Sequence, residues 1–363
     1  MKVIRLSIKQ FRNLSDIICE PSEGVNVIYG ENGHGKTNLL EAIWLFTGGR
    51  SFRNATLSEM IPIGQDRISI EMTFSDFNRQ NVVNINLGTK KEIFYNSVPI
   101  DSLSALSGSF CCVVFSPVHL NLIKGGPSER RKALDAVIGQ IKPRYLTILQ
   151  EYQKLLLQRN ALLKDIPMSP SLIDTLDIWD LSLVKMAALI IKTRKSFLSR
   201  LLPLSQEIYN GISSGREKLY FSYDATAEID GDSSEETLLS LLKQRRAEDI
   251  KNGLTSVGPH RDDIIVDING ISARAFGSQG QQRSAVLALK LGECALIEQV
   301  TGQSPVVLLD DVMSELDGMR RDFLLHRLND RQIFITCCDS KQVVDVNAAF
   351  RIEEGKVFLN KKE

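Results

Sequence analysis

The chain has 363 residues, 43% hydrophobic and 24% charged, ordinary for a globular protein long enough to hold two lobes. Lys+Arg and Asp+Glu stand at 44 each, so net charge argues for no nucleic-acid partner, and any basic surface has to be a local patch. No apolar run approaches the ~20 residues of a membrane span. The N-terminus lacks the apolar segment of a signal peptide, and six cysteines without metal spacing read as buried, reduced thiols. The expectation is a cytoplasmic protein without a membrane partner.

Residues 2–11 alternate as a strand and run into Phe11-Arg12-Asn13-Leu14. Val25 to Tyr29 is a short apolar strand, followed by Gly30-Glu31-Asn32-Gly33-His34-Gly35-Lys36-Thr37, which fits GxxxxGK(S/T). Glycines let backbone N–H groups wrap a phosphate chain, and a helix starting near Lys36 aims its positive end at the anion. Lys36 would reach the β- and γ-phosphates, and the Thr37 hydroxyl would take a magnesium position. His34 reads as a solvent-facing filler, because such a loop binds through amides. Arg12 could contact phosphate or base, against a plain surface role.

Segments 67–74, 81–87 and 92–99 alternate between turn residues and predict an antiparallel sheet, and 110–117 predicts a further buried strand. After Gly125-Gly126-Pro127 the pattern turns helical to about Ser213, with Ser128 as the expected cap. Leu149, Tyr152, Leu156 and Leu163 keep helical spacing. After the Ser-Pro-Ser break at 169–171, Ile178, Leu181, Val184, Ala188, Ile191 and Leu198 do the same, predicting a short helical hairpin. A strand at 219–225 precedes a helix at 234–252 with Ser233 and Glu236 as its capping box. Asn269-Gly270 marks a hairpin turn between strands at 264–268 and 271–276.

Ser278-Gln279-Gly280-Gln281 reads as a turn at the head of an apolar helix, 285–297. A serine and exposed amides at a helix start can hold an anion, or simply cap the helix. Val306 to Leu309 is a strand ending in Asp310 and Asp311, the form in which a Walker B strand delivers its acid. Asp310 is expected to hold magnesium. Asp311 is expected to activate the attacking water, with a capping carboxylate as the alternative. Lys36 and Asp310 stand 274 positions apart (310 − 36), yet have to meet at one Mg-triphosphate. That spacing predicts a two-lobed α/β architecture with an excursion between the motifs: residues 1–125 and 256–363 form an ATPase lobe, and 126–255 an inserted helical lobe. Lys36, Asp310 and Asp311 are the expected catalytic residues. Arg12, Gly30 to Asn38 (Asn38 following Thr37) and Ser278 to Gln281 are the expected ATP contacts, with Thr37 and Asp310 on Mg2+.

Six stretches carry a resemblance over the whole chain: Phe11–Leu14, Gly30–Ile43, Gly125–Asp135, Ser256–Asp263, Phe276–Arg283 and Leu308–Asp317. In this order they resemble the RecF family of bacterial recombination and repair proteins, a branch of the ABC-type ATPases related to SMC heads. The resemblance implies that Ser278 and Gly280 act in trans on the γ-phosphate held by a second subunit, with Asp317 at the dimer seam. It further implies an ATP-dependent homodimer and slow hydrolysis that releases it. Single-stranded and duplex DNA at gaps or junctions, with RecO, RecR and RecA, are the implied partners. Two features depart from the wider ABC pattern: Asp311 stands where glutamate is usual, and the strand at 333–340 has no switch histidine, leaving Thr336 or Asp339 as substitutes. A transporter's nucleotide-binding subunit is the alternative reading. It would carry that glutamate and histidine and a much shorter gap between motifs.

Overall fold

The computed structural model describes residues 1–53, 55–77, 79–227, 234–339 and 346–360. In chain order the first part runs β1 (Lys2–Lys9), β2 (Ile17–Cys19), β3 (Val25–Tyr29), α1 (Lys36–Leu45), β4 (Arg67–Asp76), β5 (Arg79–Gly88), β6 (Lys91–Tyr95), β7 (Val98–Ile100) and β8 (Cys112–Phe115). Helices follow as α2 (Asn121–Lys124), α3 (Pro127–Ile141), α4 (Pro143–Asp165) and α5 (Leu176–Ile212), then β9 (Leu219–Asp224) and α6 (Ser234–Asn252). The last part contains β10 (Asp263–Ile268), β11 (Ile271–Ser272), α7 (Ala273–Phe276), α8 (Gln279–Thr301), β12 (Val306–Leu309), α9 (Val312–Glu315) and α10 (Gly318–Arg327). It ends with β13 (Ile333–Cys337), β14 (Ala348–Glu353) and β15 (Lys356–Asn360).

The architecture is mixed α/β. A six-stranded sheet in the order β15-β14-β3-β13-β12-β8 is the middle layer, parallel except for the β14–β15 edge hairpin. Strands β8, β12 and β13 are buried at every position, as strands covered on both faces are. One face, with Ile28, Cys112, Val114, Val306, Leu308 and Phe334, packs on α1 and an antiparallel sheet ordered β2-β1-β4-β5-β6-β7. The other face, with Val27, Val113, Val307, Leu309 and Ile335, packs under α8 and the helical region. Helix α1 is sandwiched, which is why Leu39, Leu40, Ile43, Trp44 and Leu45 are all buried. A small sheet, β11-β10-β9, joins residues on either side of position 255, so strand pairing crosses the expected lobe boundary.

The antiparallel sheet follows the predicted alternation, with Ile68, Ile70, Met72 and Phe74 inward on β4. Residues 92–99 are two strands rather than one, because Asn96 and Ser97 both take positive φ and close a tight turn. Helix α3 starts at Pro127 with Gly126 as its N-cap, so Ser128 lies inside the first turn and does not cap. On α5, Val184, Ala188, Ile191 and Leu198 face the core as expected, but Ile178 and Leu181 are exposed (68% and 49%). The inward positions over those first two turns are taken by Leu176, Asp180 and Leu183, with Asp180 held by Arg159. Residues 273–276 are a helical turn capped by Ser272, not strand. The predicted capping residue Ser233 lies outside the described residues. Five cysteines are buried, with burial pushing Cys111 and Cys294 up to about 12, but Cys338 is exposed because β13 ends at Cys337.

The helical region holds buried charge. Arg159 is fully buried and donates to Asp180 at 2.6 Å and to Asp249 and Thr255 at 2.8 Å. Arg194 ties Asp135, Tyr223 and the Pro259 carbonyl together. His260 lies between Tyr152 (2.6 Å) and the Thr255 carbonyl (2.9 Å), and burial lowers its pKa to about 4. Its partners are hydrogen-bonding groups rather than metal ligands.

Candidate nucleotide site

The sheet order puts β3 and β12 on either side of β13, with all three running parallel. Their carboxyl ends therefore lie side by side, the usual position for a ligand on such a sheet. Gly30 (φ +149°) and Gly35 (φ +110°) are obligatory: a Cβ would lie 2.2 Å from the Ile352 carbonyl oxygen and 2.5 Å from a Leu14 methyl carbon. Gly35 is the N-cap of α1, so the first amides of that helix open into the loop. The Lys36 ammonium, 4% exposed by residue, donates to the carbonyls of Gly30 (2.7 Å) and Glu31 (3.0 Å) and to Asn32 Oδ1 (3.3 Å). It is thus folded back across the mouth of the loop. His34 lies 3.8 Å from Glu31 across the loop surface.

The two ends of the sequence meet here. Thr37 Oγ1 donates to Asp310 Oδ1 at 2.7 Å across 273 residues. Thr336, at the end of β13, donates to the same oxygen at 3.1 Å and accepts from the Asp311 N–H at 2.8 Å. Ser116, just past β8, donates to Asp310 Oδ2 at 3.4 Å. Burial raises the pKa of Asp310, offset in part by the Thr37 hydrogen bond and raised again by neighbouring Asp311. Asp311 takes left-handed backbone (φ +52°) as the N-cap of α9, with no side-chain cap bond, so its carboxylate is not spent on capping the turn. Asp339 lies past the end of β13, exposed. Among the described residues no cluster of three or more His, Cys, Asp or Glu side chains could hold a metal. The Thr37 hydroxyl and the Asp310 carboxylate are two hard oxygen ligands, and magnesium usually takes one or two protein ligands beside phosphates and water.

Around the loop sits a polar collar of which sequence reading singled out only Arg12 and Asn38. Asn13 donates to the Gly33 carbonyl at 2.7 Å and accepts from Asn38 Nδ2 at 2.6 Å. Arg53 donates to Asn38 Oδ1 at 2.9 Å. Arg12 forms a two-point ion pair with fully buried Glu41 of α1, one bond being 3.0 Å. The signal for Asn13 was its place in Phe11–Leu14, but its partner could not be read from spacing. Ser116 was hidden by the same limit, since nothing local says that β8 lies beside β12.

Ser278 to Gln281 begin α8 rather than preceding it. Ser278 is the N-cap, with its hydroxyl accepting from Gln281 N–H (3.2 Å) while Gln281 Oε1 accepts from Ser278 N–H (2.8 Å). This reciprocal cap lines a cavity of about 280 Å³ with Arg216, Glu217, Ser284 and Arg320. Gln281 donates to Glu217 at 2.7 Å. Arg320 reaches Ser284 (2.9 Å), the Gly280 carbonyl (3.4 Å) and Asp317, the N-cap of α10. The side-chain partners of this segment are thus Glu217 and Arg320 and no P-loop residue.

The family model for the RecF/RecN/SMC N terminal domain matches residues 2–358. A DNA replication and repair protein RecF from Acetivibrio thermocellus is 37% identical, over 99% of this chain and all of that one. Its counterpart from Ruminiclostridium cellulolyticum is 40% identical over 98% and 99%. Among solved structures, the recombination mediator protein RecF-ATPrS in the RecFOR pathway superposes with a TM-score of 0.93 at 38% identity, covering 98% of this chain and 97% of that one. The corresponding RecF-ATP structure gives 0.93 at 37% over 99% and 98%. An SMC head bound to the C-winged helix domain of ScpA, at 14% identity and a TM-score of 0.57, shares the fold. With the two nucleotide motifs joined in space and the likeness running end to end, this chain belongs to the RecF family and has the fold of an SMC-type ATPase head.

Proposed function

We propose that this chain is an ATP-dependent DNA-binding recombination mediator that pairs on ATP, binds DNA at single-stranded gaps or duplex junctions, and acts with RecO and RecR to load RecA. It is read as a cytoplasmic protein; among the described residues no helix is long and apolar enough to cross a membrane. The observation that carries the reading is the 2.7 Å bond between Thr37 and Asp310 beside the Lys36 ammonium. Few arrangements need a cation, a hydroxyl and a buried carboxylate at one parallel-sheet edge. Mg-triphosphate is one that does.

In this reading, Lys36 exchanges the Gly30 and Glu31 carbonyls for β- and γ-phosphate oxygens. The Gly33–Gly35 turn and the first amides of α1 wrap the phosphate chain. Thr37 and Asp310 would hold Mg2+, which when bound neutralises charge on the β- and γ-oxygens. Asp311, free of a capping bond, is the residue for orienting the attacking water. Its side chain is one methylene shorter than glutamate, which supports slow turnover. Thr336, bonded to both Asp310 and the Asp311 amide, fits a sensor linking the two better than Asp339 does. Arg12 would act through Glu41 on the loop's support, and Arg53, Asn13 and Asn38 keep the loop in register. The segment 126–255 would serve as the helical lobe, with 1–125 and 256–363 forming the ATPase lobe.

The capped start of α8 would meet the γ-phosphate of a second subunit, with Arg320 fixing Gly280 and Asp317 together at that seam. Ligand at about 100 times its dissociation constant stabilises the competent form by ~2.7 kcal/mol, enough to drive a weakly associating pair together. A transporter subunit is not favoured: RecF relatives match the whole chain, Asp311 replaces the glutamate, and no histidine follows β13 up to the end of the described stretch at 339. Sedimentation at fixed protein concentration, with and without ATP and magnesium, tests the reading. A monomer that becomes a dimer with ATP supports it, and Ser278→Arg should bind ATP yet stay monomeric. Wild-type protein that stays monomeric in both states counts against it.

A further inference from the structure

In the adjacent basic pairs Arg130-Arg131, Arg245-Arg246 and Arg320-Arg321, arginines are neutralised by carboxylates in the fold. Arg130 is bonded to Asp263, Arg245 to Glu248, Arg246 to Asp177 and Arg320 to Asp317. The reverse holds on α5. From Leu181 to Gln206 the chain has five cations and no carboxylate, in a protein whose total charges balance. Arg194 is buried against Asp135, but Lys185, Lys192 and Arg200 are exposed, with no hydrogen bond or ion pair to any described residue. At 100° per residue these three fall within an arc of about 80°, and a rise of 1.5 Å spaces them about 10.5 and 12 Å apart along the helix.

We infer that this face of α5 is the seat of a duplex DNA backbone, with Lys185, Lys192 and Arg200 each neutralising a phosphate. The inference rests on the DNA-binding reading above and says where on the chain the duplex lies. Three features choose the occupant. Unpaired cations on a rigid 37-residue helix are complementary to a rod of phosphates. The exposed positions between them, Leu189, Ser196 and Ser199, include no aromatic, so the face has nothing on which single-stranded bases would stack. The opposite face of α5, including Leu183, Ala187 and Ile190, is locked in the core, so the helix cannot roll an apolar side into a lipid surface.

The stripe is also connected to the nucleotide machinery. Helix α5 packs on α8, the helix that Ser278 caps, and does so closely enough that a Cβ on Gly292 would lie 2.4 Å from Ser205 Oγ and 3.2 Å from Leu201 Cδ1. The α5–α8 contact is thus close-packed at this point.

The test is fluorescence anisotropy of the full chain on a blunt duplex and on a single strand of equal length, with ATP and magnesium, at several salt concentrations, beside co-flotation with anionic vesicles. The triple variant Lys185→Gln, Lys192→Gln, Arg200→Gln should lose on the order of 100-fold in duplex affinity near physiological salt, and its log–log salt slope should be shallower by about 2.7. The charge-keeping set Lys185→Arg, Lys192→Arg, Arg200→Lys should restore both, and ATP binding should be unchanged in all. A triple variant with wild-type affinity and slope overturns the inference while leaving the DNA-binding reading intact. So does a loss seen only with single-stranded DNA or with anionic vesicles. Wild-type protein that binds no DNA sinks the DNA-binding reading itself, and the inference with it.

Discussion

Buried charge is used in opposite ways at the two ends of this molecule. In the helical region Arg159, Asp180 and Asp249 are all fully buried, and the arginine spans the two carboxylates. At the sheet edge, Lys36 and Asp310 are nearly as buried but are not paired with each other; Lys36 rests on backbone and amide oxygens and Asp310 on hydroxyl groups, all of them neutral. Closed ion pairs fix one arrangement of helices. Charges left on weak neutral partners can exchange them for a ligand at small cost, which is what a nucleotide site requires.

The largest expected effect tests the closed pairs. Arg159→Met leaves buried Asp249 without its cation and Asp180 with Arg246 alone, and should cost about 3–5 kcal/mol in urea unfolding, without changing ATP affinity in the folded protein. A loss below 1 kcal/mol would mean that Arg246 or water takes over the two carboxylates. Next, Lys36→Met should leave unfolding almost unchanged and weaken ATP binding by roughly 100-fold, through loss of charge-assisted bonds to phosphate. If stability falls instead, Lys36 belongs with the structural charges.

Third comes pH. His260 is held neutral, its pKa depressed to about 4 from 6.5, so its contribution is complete above pH 6.5 and is lost as pH falls towards 4. Stability should drop by about 2 kcal/mol from this residue between pH 7 and pH 5, and His260→Gln should flatten that limb whatever its baseline. Smallest is Asp310→Asn. Its carboxyl pKa is raised, so the stabilising protonated form is present below the ordinary 3.8 and lost as pH rises through the folded value. At neutral pH the amide should raise unfolding stability by ~1 kcal/mol while removing magnesium-dependent ATP binding. A destabilised variant would place Asp310 among the closed charges.

Much of the nucleotide edge was readable because its signals are local. Glycines at Gly30, Gly33 and Gly35 are dictated by backbone geometry, and two aspartates after four apolar residues can only be a strand tip. The fold class was legible too, since continuous apolar strands and alternating ones announce covered and half-covered sheets. Elsewhere, tertiary partners decided. Ile178 and Leu181 keep helical spacing yet face out, because Asp180 is pulled inward by Arg159 from another helix. Ser128 looked like a cap, but Gly126-Pro127 already set the helix start. The site contacts of Ser116 and Asn13 run to Asp310, 194 positions away, and to Gly33 and Asn38, 20 and 25 positions away, pairings that local spacing does not announce.

Isothermal titration of the folded chain with ATP, in magnesium and again in EDTA, is the most direct test of the meeting of Thr37 with Asp310. Saturable heat that requires magnesium, and that disappears in Lys36→Met and Asp310→Asn, is the expected result. A folded wild-type sample that gives no heat with ATP and magnesium would contradict the account.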